Sequence, residues 1–198
     1  DKATSVKTLL AVNVPGLCTG EQNSSENPGM EVLDFDSSID AQSGKMLKSG
    51  RNFSSNQIAA YFHTGGTTGR PKGALLSHHN LMTMALCYFA DVDRIDPGDA
   101  LVHAAPMSHG SGIYLIPHVM AGAMQIIPES HGFNADEALG LLAHYPGSTM
   151  FAAPTMVLRL TDARAADELD TRCLKTIVYG GGPMYLADLD DAHRVLGY

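Results

Sequence analysis

The sequence predicts an α/β domain, a largely parallel sheet with flanking helices. Two observations carry that expectation. Segments of strand and helix character alternate from Leu76 to the end of the chain, the order that builds parallel sheets with helical crossovers. The bend at 63–73, Ala105-Pro106 and Gly180-Gly181 each follow a strand-like run. Ligands in open α/β sheets bind at the carboxyl ends of strands, so these bends are expected to converge on one edge.

The elements read as follows. Val6 to Val14 is apolar, partly β-branched and bounded by Pro15-Gly16, a strand. Thr19 to Gly29 is rich in Asn, Ser, Glu and Gly and reads as an exposed loop, with a turn at Asn27-Pro28-Gly29. Val32 to Phe35 is ambiguous, Ser37 to Gln42 suggests one helical turn, and Gly44 to Ser55 reads as loop. Ile58 to Phe62 and Ala74 to Leu76 are strand-like runs on either side of the glycine-rich bend. Ser77 caps a helix to about Ala90, with Leu81, Met84, Ala85, Tyr88 and Phe89 on its apolar face. After the turn Asp96-Pro97-Gly98-Asp99 come a strand at 100–104, a helix at 112–121 and a strand at 123–127. Asn134 opens the next helix, with Glu137 in capping-box position. A strand at 149–151 leads to a short helix from Pro154 to about Leu160. A strand at 174–179 precedes a last helix from Pro183, with Leu186, Leu189, His193 and Leu196 along one side. The expected organisation is a loop-rich lead-in at 1–56 and an α/β nucleotide-binding core at 57–198.

Composition narrows the function classes. A chain of 198 residues is long enough for one domain with a real core. The net charge of −8 argues against a nucleic-acid partner, as does the lack of any basic run. Cys18, Cys87 and Cys173 fit neither a zinc spacing nor a disulfide framework. A reducing cytoplasm is the simplest home for such a cysteine pattern. The longest apolar stretch, 113–127, is broken by Pro117, His118, Gly122 and Gln125 and is too short to cross a membrane. Oligomeric state is not legible.

The most specific stretch runs from His63 to Gly73. It holds four glycines, three threonines and two cations in eleven positions. Glycines let backbone N–H groups close around an anion. Threonine hydroxyls add neutral donors, Lys72 a mobile charge and Arg70 a planar fork. That chemistry suits a nucleotide triphosphate or its pyrophosphate. A Walker loop requires Ser or Thr after the lysine and a helix there; here Pro71 precedes Lys72 and Gly73 follows it. The dinucleotide fingerprint G-x-G-x-x-G is also absent. The loop is therefore expected between two strands, as in a hairpin.

Two further motifs follow strands. Ala105-Pro106-Met107-Ser108-His109-Gly110-Ser111-Gly112 enters a helix. On its own, His109 reads more plainly as a core or capping histidine. Metal ligation is disfavoured, because His103 and His109 lack a third ligand at suitable spacing. A G-x-S-x-G elbow fails around Ser111, since His109 and Ile113 hold the glycine places. Val178-Tyr179-Gly180-Gly181-Gly182-Pro183-Met184 offers bare backbone to a flat ligand, or simply a tight strand-to-helix turn. Ala152-Ala153-Pro154-Thr155 is a weaker signal, and Met156 could be core packing.

Taken together and in order, these motifs resemble the acyl-adenylate-forming superfamily. It includes acyl-CoA synthetases, adenylation domains of nonribosomal peptide synthetases and firefly-type luciferases. Thr64 to Gly73 resembles its phosphate loop, with Gly65 where serine is usual. Pro106 to Gly112 resembles its Pro-x-x-His-x-x-Gly segment, and Gly180 to Pro183 its adenine segment, with Gly182 in place of alanine.

The resemblance implies ATP-dependent activation of a small-molecule carboxylic acid to acyl-AMP, then transfer to coenzyme A. It implies catalytic roles for Lys72, Thr67 and His109. Thr64, Gly65, Gly66, Thr67, Thr68, Gly69 and Lys72 would hold the phosphates with Mg²⁺, and Gly181, Gly182 and Pro183 the adenine. His109, Gly110 and Gly180 would border the acid. It also implies a fragment of the large N-terminal domain, inactive by itself, since the family's ribose-binding acid, Tyr-Gly-x-Thr-Glu segment and C-terminal lysine lie beyond Tyr198. Alternatives are a carrier-protein thiol as acceptor, a phosphotransferase releasing ADP, and a nucleotide-binding or interaction module without catalysis.

Overall fold

The computed structural model describes residues 8–11, 20–24, 27–42, 44, 54–64, 72–166 and 170–197. The chain divides into two compact units, Asp1–Asn52 and Phe53–Tyr198.

In the first unit β3 (Asn27–Asp34) lies between β1 (Thr8–Ala11), which it pairs in parallel, and β2 (Gly20–Ser24), which it pairs antiparallel. Most of the segment expected to be loop is thus strand. Its polar residues find ladder partners on β3, which composition does not disclose. Asn27-Pro28-Gly29 is not a free turn but the start of β3. The register shifts between Gln22↔Met30 and Ser24↔Asn27, and this irregularity contains Pro28-Gly29. A proline, lacking N–H, is accepted in a sheet at such a place. Helix α1 (Phe35–Asp40) begins two residues before the expected turn, because Asp34 caps it by accepting from Ser37 N at 2.9 Å.

The second unit contains a hairpin and a four-stranded parallel sheet. β4 (Ile58–Thr64) and β5 (Lys72–Ser77) pair antiparallel, from Ile58↔Ser77 to Thr64↔Lys72. The sheet order is β7-β6-β8-β9, formed by β6 (Ala100–Val102), β7 (Met124–Ile126), β8 (Ser148–Ala152) and β9 (Leu174–Tyr179), every pair parallel. The expected α/β architecture is what the chain adopts.

The helices follow from local chemistry with four adjustments. α2 (His78–Asp91) opens on a complete capping box: Asn80 N donates to Ser77 Oγ at 3.2 Å and Ser77 N to Asn80 Oδ1 at 3.0 Å. α3 (Gly110–Ala121) starts two residues early and ends at Gly122 in the left-handed region, φ 78°. α4 (Ala135–His144) has only half of the expected box. Asn134 Oδ1 accepts from Glu137 N at 3.0 Å, but Glu137 Oε1 accepts from Glu129 N at 2.7 Å and so clasps the preceding turn. α5 (Pro154–Ala166) runs six residues beyond Leu160. α6 (Leu186–Leu196) starts at Leu186, not Pro183, because Met184 leaves the helical path to pack against the core. Its buried side is Ala192 and Leu196, and Leu186 stands 74% exposed.

Two apolar clusters hold the sheet. The larger joins Val102 and Met150 of the strands to Leu139 and Leu142 of α4, Leu160 of α5 and Leu196 of α6. The smaller joins Tyr88, Ile95 and Ala123, with Tyr114 and Val178 beside them. Consecutive residues of β9 divide between the clusters, Ile177 to the first and Val178 to the second. Strand side chains alternate between faces, so the clusters lie on opposite faces of the sheet.

Candidate active site

The site is assembled where the chain leaves successive strands. The hairpin closes on the pair Thr64↔Lys72, so residues 65–71 connect two antiparallel strands, as expected for a loop unlike Walker's. Gly65, Gly66, Thr67, Thr68 and Gly69 lie outside the described residues. Lys72 is exposed.

After β6 the chain is buried through His103, Ala104 and Ala105, then surfaces at Pro106 to His109. His109 N donates to Pro106 O at 3.1 Å. His109 occupies the N-cap position of α3, yet its side chain makes no capping bond and the residue is exposed. The plainer reading, a core or capping imidazole, is therefore not what the fold uses. Gly112 has to be glycine, because a Cβ there would lie 1.8 Å from Met107 O. The loop thus folds back onto the first turn of α3.

Next to this loop runs a polar chain whose inner members, His103 and Ser111, are buried. His103 Nδ1 lies 2.7 Å from Ser111 Oγ, and His103 Nε2 lies 2.9 Å from Gln125 Oε1. Gln125 Nε2 donates to Ala123 O at 3.1 Å, which turns the amide oxygen toward the ring. His103 therefore carries its proton on Nε2, and Nδ1 accepts from the Ser111 hydroxyl. Burial lowers the pKa of His103 below the ordinary imidazole value, against the opposing effect of Gln125. This neutral ring joins β6, α3 and β7.

β9 runs into Gly180, whose N–H extends the ladder to Ala152 O at 3.1 Å, and Gly181 follows with φ 84°. Phe151 of β8 stands beside both glycine segments. A Cβ on Gly110 would come 2.3 Å from Phe151 Cε1, and one on Gly180 would come 3.6 Å from Cε2.

The result is a cavity of about 590 Å³. His109, Gly110, Gly180 and Gly181 all line it, so four expected site residues from two separate bends share one space. Gly182, Pro183 and Lys72 are not in its lining; a Cβ on Gly182 would lie 3.7 Å from Pro154. Met156 packs against the larger core and lines a different cavity.

The sequence reading missed the aromatic wall: Phe62 of β4, Tyr88 of α2, Tyr114 of α3 and Phe151 of β8. Met84 and Tyr88 had been visible as an apolar helix face, and both line the cavity. Tyr114 and Phe151 stack at 5.3 Å with ring planes 20° apart, and Tyr88 meets Tyr114 edge-on at 5.8 Å. Burial, then the charge of Asp93, pushes the Tyr88 phenol well above its ordinary pKa, and burial also raises Tyr114. Both are neutral donors at working pH. Chemically, the space offers glycine backbone, an exposed imidazole and an aromatic wall that adjoins the glycines.

Residues 3–198 match the model of a family described as AMP-binding enzyme. The chain is 28% identical over 131 residues to a feruloyl-CoA synthase of Amycolatopsis sp, covering 65% of this chain and 26% of that protein. It is 27% identical over 183 residues to the 2-succinylbenzoate–CoA ligase of Bacillus pumilus, covering 91% and 36%. Among solved structures it resembles ATP-bound MatB from Rhodopseudomonas palustris, with TM-score 0.69 and 27% identity over 86% of this chain and 34% of that one. The chain thus spans about a quarter to a third of the length of these three relatives.

Proposed function

The chain belongs to the AMP-binding enzyme family, and on that premise we propose that the protein activates a carboxylic acid with ATP and passes the acyl group to coenzyme A. In the first half-reaction a carboxylate oxygen bonds to the α-phosphorus and pyrophosphate leaves, giving acyl-AMP. In the second a thiolate sulfur bonds to the acyl carbon and AMP leaves. The observation that carries this reading is the shared cavity of His109, Gly110, Gly180 and Gly181. Relatives named as CoA ligases and an ATP-bound neighbour add support.

Gly181 suits the cosubstrate. Nothing lies within 4 Å of where a Cβ on Gly181 would be, so bare backbone is available to a flat base. Gly181, Gly182 and Pro183 hold the adenine. Thr64, Gly65, Gly66, Thr67, Thr68, Gly69 and Lys72 hold the phosphates, and Mg²⁺ adds positive charge there. Because phosphoryl transfer requires mainly positioning and charge neutralisation, Lys72 and Thr67 act on the leaving pyrophosphate. His109, with Gly110 and Gly180, orients the carboxylate.

We assign residues 57–198 to the nucleotide-binding core and 1–56 to its lead-in. Among the described residues no helix is long and apolar enough to cross a membrane, and we place the enzyme in the cytoplasm. The test is a panel of carboxylic acids with the full-length protein, scoring AMP and pyrophosphate with and without coenzyme A. Acid-dependent release of both, with coenzyme A consumed, is expected. ADP as product, or turnover indifferent to acid, would refute the proposal.

A further inference from the structure

We propose that the cavity selects an aromatic monocarboxylic acid with an uncharged tail, of benzoate to cinnamate size, and that Asp91 turns away acids carrying a second carboxylate. This rests on the adenylation reading above and names the acid that reading leaves open.

The wall argues for a ring. Phe62, Tyr88, Tyr114 and Phe151 reach the cavity from four different elements. Aromatic side chains prefer offset or edge contacts with other rings, beyond simple area burial. The wall is also stiff. Tyr114 stacks on Phe151 at 5.3 Å, and Tyr88 abuts Tyr114 at 5.8 Å. Phe151 is fenced by backbone, since the Cβ position of Gly110 falls 2.3 Å from one ring carbon and that of Gly180 3.6 Å from another. Rings packed this way present flat faces that suit a planar substrate better than a flexible alkyl chain. A rigid ring also loses less freedom on binding than such a chain. The volume of about 590 Å³ lies in the range of ordinary small-ligand pockets.

Charge argues for a neutral tail. Among the described residues lining the cavity there is no Lys or Arg, and Asp91 is the one carboxylate. A second carboxylate on the substrate would meet no cation among these described lining residues and would be repelled by Asp91. A phenolic hydroxyl, by contrast, can donate to Asp91.

The experiment is ATP–pyrophosphate exchange by the full-length protein with benzoate, cinnamate, octanoate, palmitate, succinate and terephthalate. The expected result is that benzoate or cinnamate exceeds every other acid by about tenfold or more in kcat/KM. If octanoate, palmitate, succinate or terephthalate equals them, the selectivity proposal falls while adenylation stands. If no acid supports exchange, adenylation falls and this proposal with it. The second arm is Asp91→Arg. Asp91 is exposed and is the last residue of α2, where a cation suits the helix dipole, so the fold tolerates the change. The ratio of terephthalate to benzoate kcat/KM is expected to rise about fivefold or more. An unchanged ratio would remove Asp91 from the account.

Discussion

His103 Nδ1 accepts from the Ser111 hydroxyl at 2.7 Å, across the junction of β6 and the first turn of α3. Ser111 is fully buried and His103 is 4% exposed. The bond therefore positions the helix start on which Gly110 sits and which His109 precedes.

Removing the hydroxyl in Ser111→Ala leaves a buried imidazole nitrogen without its donor. Loss of about 1–3 kcal/mol is expected, read by urea unfolding. A stability within experimental error of the parent would show that Nδ1 has another partner.

Stability is expected to fall on mild acidification. Burial is the main cause that lowers the pKa of both His103 and His118. Around His118, Asp99 and Asp93 act the other way and His103 reinforces the fall. Unfolded imidazoles titrate near 6.5, above the folded values. Below that pH the unfolded chain takes up protons first, so stability is full above about pH 6.5 and declines as the pH drops toward the folded values. Denaturant midpoints between about pH 7.5 and 5.5 measure this. His118→Gln should flatten the dependence, and a slope that persists unaltered would acquit that residue.

Glycine requirements differ along the site. Gly110→Ala and Gly112→Ala place a Cβ 2.3 Å from Phe151 and 1.8 Å from a carbonyl oxygen, whereas Gly182→Ala finds its nearest neighbour at 3.7 Å. The first two are expected to lose about 1–3 kcal/mol, and the third about 0.5 kcal/mol or less. Thermal melts of the three side by side decide it; equal losses would contradict the steric explanation.

Lys72→Ala and Thr67→Val each remove a group proposed to hold phosphates. In the full-length enzyme each is expected to lower ATP–pyrophosphate exchange by about 10²-fold, with the melting temperature held. Exchange at the parent rate would separate these residues from the chemistry.

Parts of this architecture were legible from local pattern alone. The strand–loop–strand reading of 58–76 rested on the short apolar runs on either side of the bend and on the absence of Ser or Thr after Lys72, and β4 and β5 pair as a hairpin. Ser77 and Asn134 cap their helices as expected, each side chain accepting from the backbone N–H three residues on. Other parts depended on distant partners. Polar Gly20–Ser24 is a strand because β3 offers it a ladder. α6 starts late because Met184 is drawn into the core.

By itself the sequence determined the alternation of elements, the α/β class, the family likeness and the four glycine and histidine positions that meet in one cavity. These depend on short-range chemistry: caps, turns, and which backbone tolerates a missing Cβ. Only the tertiary structure decided what faces them. Phe62, Tyr88, Tyr114 and Phe151 come from separate elements, and His103, Ser111 and Gln125 span 22 positions. Such groupings are set by strand order and helix packing, which bring together side chains that no local pattern links.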